Sequence, residues 1–216
     1  SRSSAASDVY KRQVVGADKS SLSLVVREVV QEESPRPEII LVQALAKGGR
    51  DEAAVEICTE IGIDRVIPWA SQRAIVQWRG PKAEKGRAKW EGVARAAAKQ
   101  SRRAYVPVVE AVTDSRELAS WVRALTDEAG AAFVCHEEAT QSLGAALARV
   151  QGDATDGSLP ARVALIVGPE GGIGPEETAQ LVAAGARTVG LGANVLRSST
   201  AGAVALTLIR AAVGAY

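Results

Sequence analysis

Two short stretches place glycines where an apolar segment ends. "LIVGPEGGIGPEE", residues 165–177, runs into Gly168-Pro169-Glu170-Gly171-Gly172, and Pro175 then opens a helix. "VGLGANVLRSSTA", residues 189–201, does the same with Gly190 and Gly192. Such turns bare backbone N–H and C=O groups to a closely approaching ligand. The first stretch contains no Lys, Arg, Ser or Thr, so it lacks the GxxxxGK[ST] pattern that cradles a triphosphate. The second begins like a GxGxxG dinucleotide loop but reaches Val195 at the last glycine position, and no acidic residue follows it. A ligand without phosphate and with a cationic centre suits both loops. S-adenosylmethionine (AdoMet) is such a ligand: adenine, ribose, a zwitterionic amino acid and a sulfonium that a nearby lysine would repel. Glu170 could accept a hydrogen bond from a ribose hydroxyl. The competing reading is that these glycines only make tight turns.

A second constellation is electrostatic. Residues 73–103 hold ten basic side chains against two acidic ones, a local net charge of +8. The rest of the chain has 16 basic and 23 acidic residues, net −7. A concentrated basic stripe on a near-neutral protein fits a polyanion partner, whereas a solvated helix face is the ordinary alternative. Trp78, Trp90, Gln100 and Ser101 lie inside the stripe.

These residues need a scaffold, and the pattern supplies one. "EIILVQAL" (38–45), "DRVIPW" (64–69), "AIVQW" (74–78), "AAFVC" (131–135), "RVALIV" (162–167) and "RTVGLG" (187–192) read as strands. Helices are expected at 50–62, 83–103, 115–125, 140–150, 175–184 and from Ser198 onward. Ala53, Ala54, Ile57 and Ile61 would form the buried face of the first, and Asp114 would cap the third. Strands that are apolar throughout, alternating with helices, predict an α/β fold with a parallel sheet covered on both faces and a ligand beyond the strands' carboxyl ends.

Residues 14–30 alternate about a turn and predict a β-hairpin, and "EESPRP" (32–37) reads as a linker. The chain contains no methionine, and "SRSSAASDVYKRQ" (1–13) is Ser-rich and aperiodic. It is set aside as a non-native or disordered remnant without the apolar centre of a signal peptide. No apolar run approaches the roughly 18 residues of a membrane span. Cys58 and Cys135 form no CxxC pair, so neither a disulfide framework nor a metal site is expected, and a cytoplasmic setting fits.

Taken together, "LIVGPEGGIGPEE", "VGLGANVLRSSTA" and "ARAAAKQSRRAYVP" resemble the RsmE family, ribosomal RNA small-subunit methyltransferases of the SPOUT class that act on N3 of a uridine. The likeness runs from about Ile39 to the C-terminus. It implies a SPOUT-type parallel sheet with a C-terminal trefoil knot over 38–216, preceded by a small PUA-like RNA-binding β-barrel of which 14–36 would be a truncated remnant. It implies AdoMet as cofactor, a homodimer, and ribosomal RNA within the 30S subunit as partner. Carried over by motif, Gly168, Glu170, Gly171 and Gly172 would form one cofactor wall, and Leu191, Gly192 and Leu196 the other. Arg197 would be catalytic, orienting the uracil or a phosphate, or stabilising charge on the uracil oxygens as N3 loses its proton. Arg73, Trp90, Gln100, Arg102 and Arg103 would face RNA. Where many members read Leu-Arg-Thr-Glu-Thr-Ala, this chain reads Leu196-Arg197-Ser198-Ser199-Thr200-Ala201, so no carboxylate at 199 can be the general base. The motifs do not name that base, and His136 is the only histidine. A related enzyme acting on transfer RNA, or a non-catalytic RNA-binding or ribosome-assembly protein of this fold, would share these features.

Overall fold

The computed structural model describes residues 7–32 and 36–215. Strands β1 (Ser7–Ala17) and β2 (Leu22–Glu32) form an antiparallel hairpin in a sheet of its own. Asp18 nucleates the turn, accepting from the backbone N–H groups of Ser20 and Ser21, each at 2.8 Å. The pairing starts at Ser7, opposite Glu32. Residues 7–13 of the stretch set aside as a remnant therefore belong to the ladder, while 1–6 lie outside the described residues. Val14, Val15, Leu22 and Leu24 of the hairpin are exposed.

The remainder builds one parallel sheet from β3 (Glu38–Ala44), β4 (Arg65–Ala70), β5 (Val108–Val109), β6 (Thr113–Asp114), β7 (Ala131–Cys135), β8 (Arg162–Val167) and β9 (Arg187–Val189). The order is β5-β4-β3-β8-β7-β9, with β6 also beside β4, and every pairing is parallel. Alternation along the central strands divides the core. Ile39 and Leu41 point to one face, Ile40 and Val42 to the other, and all four are buried.

Helices cover both faces. On the first lie α1 (Arg50–Ile61), α2 (Pro81–Gln100), α4 (Leu143–Asp153) and α6 (Ser198–Ala212). On the second lie α3 (Ser115–Asp127) and α5 (Pro175–Ala183). Asp114 does cap α3: its carboxylate accepts from Arg116 N at 2.9 Å and Glu117 N at 2.8 Å, and Glu117 accepts from Asp114 N in return. α6 leaves the edge of the sheet and returns to pack on α1 and across β3 and β8. Among the described residues no helix is long and apolar enough to cross a membrane.

One local expectation fails, and another holds only in part, for Ala54 and Ile61. Residues 74–78 are not a strand. The neighbouring edge of β4 is taken by β5 and β6, and Trp78 instead packs edge-on against Trp90 of α2, ring centroids 5.1 Å apart at 69°. The buried stripe of α1 is Asp51, Ala54, Val55, Cys58 and Thr59, leaving Ile57 exposed. The i, i+3, i+4, i+7 pattern holds, but contact with both α2 and α6 sets its phase.

Candidate active site

Because the sheet is parallel, the loops after β7, β8 and β9 emerge at one end. They wall a single cleft of about 1080 Å³. All eight residues assigned from the sequence to cofactor or catalysis line it: Gly168, Glu170, Gly171, Gly172, Leu191, Gly192, Leu196 and Arg197. Cys135, His136, Glu137 and Glu138 contribute from the end of β7, Thr178 from α5, and Ser198 from the first turn of α6.

The loop after β8 is held in place by its own residues and by neighbours. Gly172 N–H donates to Pro169 O at 3.0 Å, closing a turn over 169–172. Gly168 must lack a side chain, since a Cβ there would lie 2.5 Å from Cγ1 of the buried Ile173. Arg73 Nη1 donates to Gly171 O at 3.2 Å, which brings Arg73 to the cleft instead of to the basic helix. Glu170 Oε1 accepts from Lys47 N at 3.1 Å and Arg50 Nη1 at 3.0 Å. Burial disfavours its charge, but these donors and its own N–H outweigh that and hold the carboxyl below its ordinary range. One oxygen of Glu170 is thus already engaged in tying the loop to the start of α1.

The strongest anchor is a residue that the sequence reading passed over. Glu177, in the first turn of α5, is 1% exposed. Its Oε1 accepts from Gln72 N at 2.8 Å and from Ser115 Oγ; its Oε2 accepts from Gly174 N at 3.1 Å. Ser115 Oγ in turn accepts from Trp69 Nε1 at 3.1 Å. One buried carboxylate thereby joins the ends of β4 and β6, the loop carrying Arg73, and the glycine turn. The readable signal was a glutamate three residues after Gly174 at a helix start, the reciprocal half of a capping arrangement.

The second wall is different. Gly190 is pinned by Gln141 O and Leu143 N, at 2.8 and 3.0 Å. Leu191 and Leu196 pack their side chains against the core. Between them, Gly192, Ala193, Asn194 and Val195 are exposed. Arg197 is also exposed, and its carbonyl receives Thr200 N and Ala201 N at 2.8 and 2.9 Å as α6 begins.

Across the cleft, His136 Nδ1 accepts from Glu138 N at 3.2 Å. Nδ1 is thus engaged as an acceptor, which leaves Nε2 as the ring nitrogen free for another partner. Burial pushes both free thiols, Cys58 and Cys135, up to about 12, so neither is a thiolate at neutral pH. Two hydroxyls of the lining, Ser198 Oγ and Thr178 Oγ1, are buried without a hydrogen-bond partner. Such groups suit a bound ligand with polar atoms.

The RNA-side assignments separate. Trp90 is 1% exposed and belongs to the core, so it cannot stack on a base. Arg103 is a structural residue. It donates to Thr59 O at 2.9 Å and Ile63 O at 2.6 Å, and pairs with Asp64 at 3.5 Å, closing the C-terminus of α1. Both corrections have one cause: a count of charges or aromatics along a helix does not say which side chains turn inward. Gln100 and Arg102 are exposed at the end of α2.

The sequence matches the RNA methyltransferase domain family over residues 32–210. The chain belongs to that family. It is 45% identical over 171 residues to a protein of Mycobacterium bovis named ribosomal RNA small subunit methyltransferase E, an alignment covering 79% of this chain and 62% of that protein. The chain thus spans less than two thirds of that relative's length. Among solved structures, it is similar to a ribosomal RNA small subunit methyltransferase E from Neisseria gonorrhoeae, determined bound to S-adenosyl methionine. The TM-score is 0.78 at 23% identity, covering 96% of this chain and 80% of that one. It is also similar to a probable rRNA-methyltransferase from Porphyromonas gingivalis, with a TM-score of 0.75 at 26% identity, covering 97% and 82%.

Proposed function

We propose that this chain carries the AdoMet-dependent methyltransferase domain of an RsmE-type enzyme, which methylates N3 of a uridine in the 16S RNA of the small ribosomal subunit. The observation that carries this reading is the meeting of two separate glycine loops on one cleft that no lysine lines. Three arginines, Arg50, Arg73 and Arg197, face three carboxylates, Glu137, Glu138 and Glu170, so no cationic excess opposes a sulfonium. Family membership and the AdoMet-bound N. gonorrhoeae relative support the cofactor. The path of α6 from the sheet edge back to its centre supports a SPOUT-type trefoil knot at the C-terminus. The hairpin of β1 and β2 we read as part of a PUA-like RNA-binding domain, and the working form as a homodimer acting on the 30S subunit in the cytoplasm.

In this reading the glycine loops hold the cofactor mainly through backbone groups, with Ser198 Oγ and Thr178 Oγ1 available to its polar atoms. Bound AdoMet would supply a methyl group on a positively charged sulfur. The chain's own task is to hold a uracil in line with it and to balance charge as N3 gives up its proton. Arg197, exposed at the mouth of the cleft, suits the uracil oxygens or the adjacent phosphate through its planar pair of donors. His136 offers Nε2 as a further contact. Glu137 and Glu138 are the exposed carboxylates of this wall within reach of solvent, and either can take the proton.

Calorimetry should show AdoMet binding in the micromolar range and no binding of NADH or ATP. Labelled AdoMet offered with naked 16S RNA, 30S subunits or transfer RNA should label the small-subunit substrates. Label on transfer RNA alone, or AdoMet binding with no transfer to any RNA, would replace the reading by one of its two competitors. Arg197→Lys keeps the charge and loses the planar fork. It should lose most of the single-turnover rate while AdoMet affinity changes little. A rate within about twofold of the unmodified protein, some 0.4 kcal/mol of barrier, would remove Arg197 from substrate positioning.

A further inference from the structure

The ten cations of residues 73–103 are not equivalent once folded. Arg87 is paired within α2 to Glu84 and Glu91, both at 3.1 Å. Lys89 is paired to Glu52 of α1, and Arg103 to Asp64. Lys82, Lys85, Arg95 and Lys99 of α2, with Arg79 before it and Arg102 after it, are exposed and have no ion-pair partner among the described residues.

Their arrangement is one-sided. Trp90, Ala94, Ala97 and Ala98 turn into the core, and Glu84, Arg87 and Glu91 form one flank. The solvent side shows Lys82, Lys85, Arg95 and Lys99 interleaved with exposed Ala88, Gly92 and Ala96. Among the cations there, Lys89 is the one paired to an acid, Glu52 of α1, and Arg95 borders the flank one turn after Glu91. A Cβ at Gly92 would meet nothing within 4 Å, so the helix backbone itself is open there. A helix of 20 residues makes this face about 30 Å long. Since α2 follows the carboxyl end of β4, it starts at the same end of the sheet as the cleft, where Arg73 already touches the glycine turn.

We infer that the solvent face of α2 is the electrostatic track for the RNA backbone leading to the cleft. The inference rests on the methyltransferase reading and deepens it by locating where flanking phosphates lie. Unpaired cations on a shallow face of small residues fit a phosphate chain. A protein partner would need apolar or aromatic anchors at its centre, and a membrane an apolar flank; this face has neither. Phosphate contacts of this kind position the strand and carry no sequence information, which leaves nucleotide choice to the cleft.

The test is a salt titration of binding to a fluorescent single-stranded RNA 20-mer of mixed sequence. The triple variant Lys85→Ala, Arg95→Ala, Lys99→Ala introduces the best helix former at each position, so α2 should persist, checked by circular dichroism. At 0.7 per phosphate for single strands, the log-log salt slope should fall by about 2, and affinity at 0.1 M salt by roughly a hundredfold. Arg87→Ala, which removes an already paired cation, should change affinity less than about threefold. Unchanged slope in the triple variant, or equal losses in both, overturns the assignment. AdoMet affinity of the triple variant is measured alongside. It should match the parent protein, and failure of the parent itself to bind AdoMet would instead count against the methyltransferase reading.

Discussion

The two glycine loops that wall the cleft are built in opposite ways. The loop after β8 is fastened by Glu177, Arg73, and the tie from Glu170 to Arg50 and Lys47. The loop after β9 is fastened at Gly190 and by two leucines, and among the described residues no hydrogen bond holds 191–196. Backbone hydrogen bonds and buried contacts set local opening free energies, so the first wall is preformed and the second has less to keep it still. A cleft with one fixed and one yielding wall can keep its reading groups in register and still admit a ligand.

The largest effect that would break this contrast is at Glu177. Replacing it by Ala leaves Gly174 N–H buried without its acceptor, at about 1–3 kcal/mol, and removes the acceptor of the part-buried Gln72 N–H at a smaller cost. Urea denaturation should show that loss, AdoMet affinity should fall at least tenfold, and Glu177→Gln should recover part of both. Val195→Ala, on the exposed tip of the other loop, should cost under about 0.5 kcal/mol. An unfolding midpoint for Glu177→Ala equal to that of Val195→Ala would abolish the distinction between the walls.

The glycines sharpen it. Gly168→Ala drives a methyl group into Ile173 and should cost about 1–3 kcal/mol, as overpacking does. Gly192 has φ +122° and no atom within 4 Å of a Cβ. Its replacement by Ala meets only backbone strain, about 1–3 kcal/mol in a fixed loop and toward the lower end where a loosely held loop relaxes. Matched urea titrations decide between them, and a larger cost at Gly192 would mean the second loop is the more rigid.

The smallest effect concerns acid. The Glu170 carboxyl lies below its ordinary value in the folded chain, so its tie is intact above the unfolded value, about 4.3. It weakens as pH falls through the depressed folded value. Arg50→Ala removes one of the donors, so the Glu170 titration followed by NMR should move up toward the ordinary value. A curve unmoved by Arg50→Ala would assign the tie to backbone donors alone.

Much of the site was legible, because it is local. Gly168 to Gly172 and Gly190 to Arg197 each announce themselves within a dozen residues, and all of them meet in the cleft. Glu177 was not, because an acid in the first turn of a helix looks like a solvated partner of the helix dipole. Only the approach of Gln72, Ser115 and Trp69 from distant segments buries it. Arg73 was read with the basic stripe for its place in the chain and lies instead against Gly171.

What the sequence determined by itself were the central strands, the cap at Asp114, the final helix and both glycine turns. In each, hydrophobic period or turn chemistry acts over a few neighbouring residues. Tertiary structure alone decided which cations of α2 face water, that Trp90 and Arg103 serve packing, and that "AIVQW" stays outside the sheet. Those outcomes depend on direction and occupancy. A helix rotates until its best face is buried against two neighbours, and an edge of β4 already paired with β5 and β6 has no ladder left to offer.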